Sequence, residues 1–348
     1  MFSSLRYLAP LLMTFILAAG PGDRRACGST DALEAVTQRP EIPVVTLADR
    51  RAIELERQYE QVWKIINDNF VYRDRLSRWD AWRGCFNGRI RTRTELEHAI
   101  ETMLGSLNDD FTYLRNASDT SNYRRRQSRT NVVEWRMLPG RVGYVRITTF
   151  GSRNVADESL SAFRHLKTAR SYVVDLRDND GGDIAQSSRV FGIFCQEGKF
   201  ASFRAYASGR PYAEELLLQK DVWVSVKDGL PSESERDPWL AADKPVIVLV
   251  GQDTRSAAEM LAGALRDNGR AKLVGTRTFG KGLLQKVWPL DDNLSLKVSV
   301  GRCFLPSGIC VQGVGLDPDY VVGSLPGRDC QLEEARRILV STHLTEGR

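Results

Sequence analysis

The strongest constraint on this chain is a series of short β-branched runs that begins at Val142: VGYVRITTF, SYVVDLR, KPVIVLVG, AKLVG and LSLKVSV. Helical stretches at 155–168 and 256–268 separate them. Strands alternating with helices bury themselves as a helix-covered sheet, so the fold class is α/β. Upstream, Ile53, Leu55, Tyr59, Val62, Ile65 and Ile66 recur at helical spacing, as do Leu96, Ile100, Met103 and Leu107. Residues 48–131 therefore read as an N-terminal helical domain and connector. Its polar stretch 115–131, with Arg124, Arg125 and Arg126, reads as a solvated loop. Residues 132–325 read as the core. Within them 196–243 break the rhythm with mixed polar and aromatic sequence and are expected to form an inserted cap. Residues 326–348 close the chain as a helix or tail.

The first twenty residues carry one charge, Arg6, ahead of an apolar run from Leu8 to Ala19. That run is shorter than the roughly 20 residues of a membrane span, so 1–20 reads as a signal peptide for export to the periplasm or the medium. An uncleaved membrane anchor is the alternative. Residues 21–47, rich in Pro, Gly and Thr, read as a linker. Six cysteines in an exported chain permit disulfides. Cys303 and Cys310 flank FLPSGI, a turn that could bring them together; the others cannot be paired from spacing.

The 49 basic residues are nearly offset by 44 acidic ones, for a net charge of +5. Nucleic-acid binders concentrate basic charge, so no nucleic-acid partner is expected. With three histidines, His98, His165 and His343, far apart in sequence, neither a metal site nor a histidine base is expected. No cofactor is implied.

Three segments can carry chemistry. In GQDTRSAAEMLAGALRDNG, Ser256 follows an apolar strand and opens a helix. Ser256 with Glu259 is a capping box on one reading. On the other, the serine is a nucleophile at a helix N-terminus that favours developing negative charge. GTRTFGKG matches a phosphate loop through G-x-x-x-x-G-K, but Gly282 replaces the Ser/Thr that would hold magnesium, and LLQKVWPL beyond it looks extended. Nucleotide binding is not expected. Lys281, flanked by glycines and by Phe279, Leu283 and Leu284, can instead be a desolvated base. In an extended 281–285 segment, Gln285 shares its face and can orient it. Finally, VVDLRDNDGG runs a buried strand into a glycine pair whose backbone N–H groups can approach a reacting carbonyl. Each segment alone has a plain structural reading as a helix cap, a loop lysine or a glycine turn.

Together they resemble one family, the S41 serine peptidases, also called C-terminal processing or tail-specific proteases. The resemblance runs from LNDDFTYL near Leu107 through VGYVRITTF, VVDLRDNDGG, RSAAEMLAGALRDNGRAKLVGTRTFGKGLLQ and FLPSGICVQGVGLDPD to Asp319. It implies a ClpP/crotonase-like twisted sheet core, with Ser256 as nucleophile, Lys281 as general base and Gln285 as the residue that orients the lysine. The implied oxyanion donors are the backbone amides of Ala257 and of Gly181 or Gly182. Asp180 departs from the family, placing a carboxylate near that hole. The family's PDZ domain is not expected, since the interval from Leu114 to Gly143 is shorter than the roughly 50 residues at which independent domains begin. Selection would then fall to flexible, accessible chain and to the groove beside Ser256, with Phe203, Tyr206, Tyr212 and Trp223 of the 196–243 region as candidate walls.

The function expected is an exported Ser/Lys endopeptidase acting on unfolded or flexible polypeptide. The alternatives are an S41-like protein that binds peptides or hydrophobic ligands without turnover and, by fold analogy alone, an acyl-CoA enzyme of the crotonase type. Oligomeric state is not legible.

Overall fold

Two tryptophans fix the first helical layer. In the computed structural model, which describes residues 46–241 and 243–346, the indoles of Trp63 and Trp79 each donate to the other's backbone carbonyl, at 3.0 and 3.1 Å. This exchange ties α1 (Leu47–Asn69) to the 3-10 turns that lead to α2 (Arg93–Gly105). A Thr92–Glu95 capping box starts α2. The expected leader, its cleavage site and nearly all of the linker lie outside the described residues. Among the described residues, no helix is long and apolar enough to cross a membrane.

Next in the chain come β1 (Tyr113–Arg115), α3 (Ala117–Gln127), β2 (Val133–Leu138), β3 (Val142–Ile147), α4 (Val155–His165), β4 (Ser171–Asp175) and α5 (Ile184–Phe194). Then follow β5 (Gly198–Ala207), β6 (Arg210–Leu218), β7 (Val222–Lys227), β8 (Leu230–Glu235), β9 (Val246–Val250) and α6 (Ala257–Asp267). The chain closes with β10 (Lys272–Gly275), β11 (Leu283–Pro289), β12 (Ser295–Phe304), β13 (Tyr320–Val321) and α7 (Cys330–Glu346).

Among the described residues the strands make two sheets. One runs β13-β10-β9-β4-β3-β2, parallel except for β2. Every residue of β4 and β9 is buried, as a parallel strand covered on both faces requires. Val173, Ile247 and Leu249 pack with Ala335 and Leu339 of α7. Val174, Val248 and Val250 face the other way, into a core shared with α4, α5 and α6.

The second sheet is antiparallel and built on β12. β11 lies along one edge of β12; β1 and β5 share the other. Leu296, Val298 and Val300 pack on α1 and α2, so Ser295, Lys297 and Ser299 point to the opposite face. Residues 198–235, within the span expected as a cap, form β5 to β8 and continue this sheet outward. Phe203 and Trp223 are buried in the main core, with α5 and α6.

Two expectations need correction. The polar stretch 115–131 holds a helix, α3, started by an Asn116–Asp119 capping box. It buries none of its residues, so no apolar stripe marked it. Cys303 and Cys310 are free thiols. Cys303 sits in the core cluster while Cys310 lies against Gly282, and the intervening turn is closed by Leu305 N–H donating to Ile309 C=O at 2.9 Å. Burial, reinforced by Cys310, pushes the Cys303 thiol up to about 12.

The parallel sheet positions the site. β4, β9 and β10 point the same way, so the segments after their carboxyl ends, 176–183, 251–256 and 276–282, gather at one edge. Gly275 allows the tightest approach there. Its φ is +138°, and a Cβ on it would sit 2.0 Å from Val250 O. Gly275→Ala should therefore destabilise the fold by at least about 2 kcal/mol, a loss that chemical denaturation would measure. An unchanged midpoint would mean that β9 and β10 can separate without cost.

Candidate active site

Ser256 stands where β9 turns into α6. Thr254, wholly buried, donates its hydroxyl to Leu176 O at 2.8 Å and accepts Gly251 N–H at 2.9 Å. Arg255 N–H donates to Asn179 O at 2.9 Å. The turn is thus bound to the loop after β4 before the serine is reached. Ser256 itself adopts φ 55°, ψ −117°. For a residue with a Cβ this backbone costs about 1–3 kcal/mol and persists only where its surroundings impose it. A sharp strand-to-helix turn of this sort presents a hydroxyl at the sheet's edge.

The loop after β4 supplies backbone amides. Asn179, wholly buried, donates to Ile147 O and accepts the Gly181 N–H, both at 2.9 Å. Gly181 also touches the serine turn; a Cβ there would lie 2.5 Å from Arg255 O and 2.8 Å from Ser256 Cβ. Of the two glycines, Gly181 has its N–H committed. Among the described residues, no hydrogen bond occupies the N–H of Gly182 or of Ala257.

Glu259 joins Ser256 to the third segment. Its carboxylate, wholly buried, accepts Ser256 N–H at 2.9 Å, Gly280 N–H at 2.8 Å and Lys281 N–H at 2.7 Å, together with the Thr278 hydroxyl. The capping interaction anticipated for Ser256 and Glu259 is therefore present on the glutamate's side, and the same carboxylate holds the lysine loop. Gly282 N–H donates to Gln312 Oε1 at 2.9 Å, fixing the loop's far end.

Lys281 is half-buried, with Nζ 5.0 Å from the centre of the Phe111 ring. Burial holds its amine below the ordinary range. Asp180 opposes that shift, while Arg126 and Arg255 add to it. Phe279, expected to help desolvate the lysine, is 45% exposed and lies under the Arg255 guanidinium. Among the described residues, no hydrogen bond joins Gln285 to Lys281. Gln285 Nε2 donates instead to Phe111 O at 2.7 Å, holding the residue whose ring lies by the amine. A register shift between Leu284 and Gln285 breaks the simple alternation on which direct contact was expected.

Ser256, Lys281, Gln285 and Gly182 line one cavity of about 590 Å³. Helix α3 forms a wall, and its Arg126 pairs with Asp180. The carboxylate that departs from the family pattern thus has an ion-pair partner. Besides Arg126, three cations outside the expected site line the cavity: the exposed Arg153, and Arg115 and Lys297. Burial, then the nearby Lys281, Arg115 and Arg126 charges, lowers the Lys297 amine to about 8. Phe203, Tyr206, Tyr212 and Trp223 are not among its lining residues. Among the described residues, no group of three or more His, Cys, Asp or Glu could hold a metal.

A strained serine at a strand-to-helix turn thus lines one cavity with a half-buried lysine at the carboxyl edge of a parallel sheet. The sequence model of Peptidase family S41 matches residues 141–322, and the chain belongs to that family. It is 33% identical over 200 residues to a carboxy-terminal-processing protease of Bartonella bacilliformis, covering 56% of this chain and 41% of that one. It is 35% identical over 181 residues to carboxyl-terminal-processing peptidase 1, chloroplastic, of Arabidopsis thaliana, covering 51% and 33%. The chain thus matches less than half the length of these relatives. The solved photosystem II D1 C-terminal processing protease superposes with a TM-score of 0.59 at 20% identity, over 82% of this chain and 97% of that one, a likeness of fold.

Removing the charge that ties the site together should be costly. Glu259→Gln replaces an acceptor with an amide donor facing N–H groups, and should lower unfolding stability by about 2–5 kcal/mol. Urea unfolding that matched the wild type would show that the carboxylate does not hold these segments.

Proposed function

We propose that this chain is a serine endopeptidase that hydrolyses peptide bonds in flexible or unfolded polypeptide with a Ser256/Lys281 dyad. The observation that carries the reading is one cavity lined by the strained Ser256, the half-buried Lys281 and the free-amide residue Gly182. Family membership supports it, and both curated relatives described above bear names of processing proteases.

In this mechanism the neutral Lys281 amine takes the Ser256 proton as Oγ attacks the scissile carbonyl carbon. Charge that develops on the carbonyl oxygen falls to the N–H groups of Gly182 and Ala257, at the N-terminus of α6. Of the pair Gly181 and Gly182 suggested by the sequence, Gly182 is preferred because Asn179 already occupies the Gly181 N–H. The Lys281 ammonium returns its proton to the departing amine, leaving an ester on Ser256. Water then attacks that ester with Lys281 again as base. Gln285 acts at one remove, by fixing Phe111 beside the amine. The apolar run from Leu8 to Ala19 supports export of the enzyme.

The competing reading, peptide binding without turnover, does not account for a serine held at positive φ in one cavity with a desolvated lysine. Ser256→Ala should reduce cleavage of an unfolded test protein by at least about 10³-fold while the fold survives. Activity within a few-fold of wild type would exclude Ser256 as nucleophile. Lys281 must be neutral to act, so kcat/KM should be lost as pH falls through its lowered pKa and fully present above it. Lys281→Arg keeps the charge but cannot deprotonate, and should be nearly as inactive. Normal cleavage by that variant would make the lysine structural.

A further inference from the structure

We propose that the floor of the Ser256 cavity is a carboxylate-recognition site for the bound polypeptide, built from Arg115 and Lys297. This deepens the peptidase reading and rests on it for the identity of the ligand as polypeptide.

The two side chains are brought together by strand register. Lys297 pairs with Tyr113 of β1 and with Val287 of β11, while Arg115 pairs with Ser295, two residues before Lys297. Arg115 and Lys297 are therefore diagonal neighbours, and both line the cavity. Arg115 is 6% exposed. Its guanidinium donates one hydrogen bond, to Asp119 O at 2.9 Å, and lies over the Tyr123 ring. Lys297 Nζ lies 5.4 Å from the centre of the Tyr113 ring. Among the described residues, neither cation has an ion-pair partner.

The carboxylates of the cavity are engaged elsewhere. Asp180 pairs with Arg126, Asp119 caps α3 through Asn116 N–H, and Asp183 accepts Ala185 N–H. Two desolvated positive groups without a counter-ion are costly. A ligand carboxylate would offset that cost, and Arg115 retains planar N–H donors to receive it. The chemistry fits either a polypeptide's terminal carboxylate or an Asp or Glu side chain. Either source would give the cavity a preference that an apolar groove lacks.

Binding to the Ser256→Ala protein tests this apart from catalysis. Three fluorescent peptides of one neutral sequence are compared by anisotropy: a C-terminal acid, a C-terminal amide bearing one Glu, and an amide without any carboxylate. At least one carboxylate peptide should bind about tenfold or more tightly than the neutral amide, equivalent to about 1.4 kcal/mol. Which one does so separates the terminal from the side-chain source. Adding Lys297→Gln should bring the ratio close to one, and Lys297→Arg should restore it, with thermal melts confirming that each variant folds. Equal binding of the three peptides, including no binding at all, overturns the inference without any change at Lys297. A ratio unaltered by a folded Lys297→Gln variant also overturns it. A carboxylate preference in a chain whose wild type never cleaves would instead sustain this site and sink the peptidase reading.

Discussion

One buried carboxylate holds the site together. Glu259 receives the N–H groups of Ser256, Gly280 and Lys281 and the Thr278 hydroxyl, so the start of α6 and the loop after β10 share an acceptor. A lone buried charge would be expensive, and these donors are what make it tolerable. The consequence is positional. The proposed nucleophile and base come from segments separated by a whole helix and a strand, and both backbones are anchored to the same side chain.

The parallel sheet makes this anchoring possible. Because β4, β9 and β10 end at one edge, the Gly181–Gly182 turn, the Ser256 turn and the Lys281 loop arrive already adjacent. Helix α3 and the face of β12 opposite the helical layer enclose the result from other directions, contributing Arg126 and Lys297. Two kinds of lysine environment follow within one cavity. Lys281 has its backbone fixed by Glu259, whereas Lys297 is fixed by pairing on both edges of its strand.

Most of the core was legible because its strands are short, β-branched and buried on both faces, as in β4 and β9. Ser256, Lys281 and the glycine turn were legible because each lies in a local motif. What escaped depended on distant pairing or lacked an apolar signature. Helix α3 buries nothing, and only its Asn116–Asp119 box marked it in the sequence. The strands of 198–235 include β8, exposed at every residue, which hides the alternation of a half-buried strand. Phe111, Arg115 and Lys297 join the site through contacts and pairings that span the chain, as when Gln285 reaches Phe111 O. No spacing rule connects such residues.

The central claim is that burial in this cavity gives Lys281 the properties of a base. The direct measurement is a pH titration of its side chain by ¹³Cε NMR in lysine-labelled protein, assigned by the signal missing from Lys281→Arg. The account predicts a Lys281 midpoint clearly below the ordinary 10.5 in a folded chain, with the charged form favoured again once the protein is unfolded. A midpoint at or above 10.5 in the folded protein would contradict it, leaving Ser256 without a base at the place the fold provides.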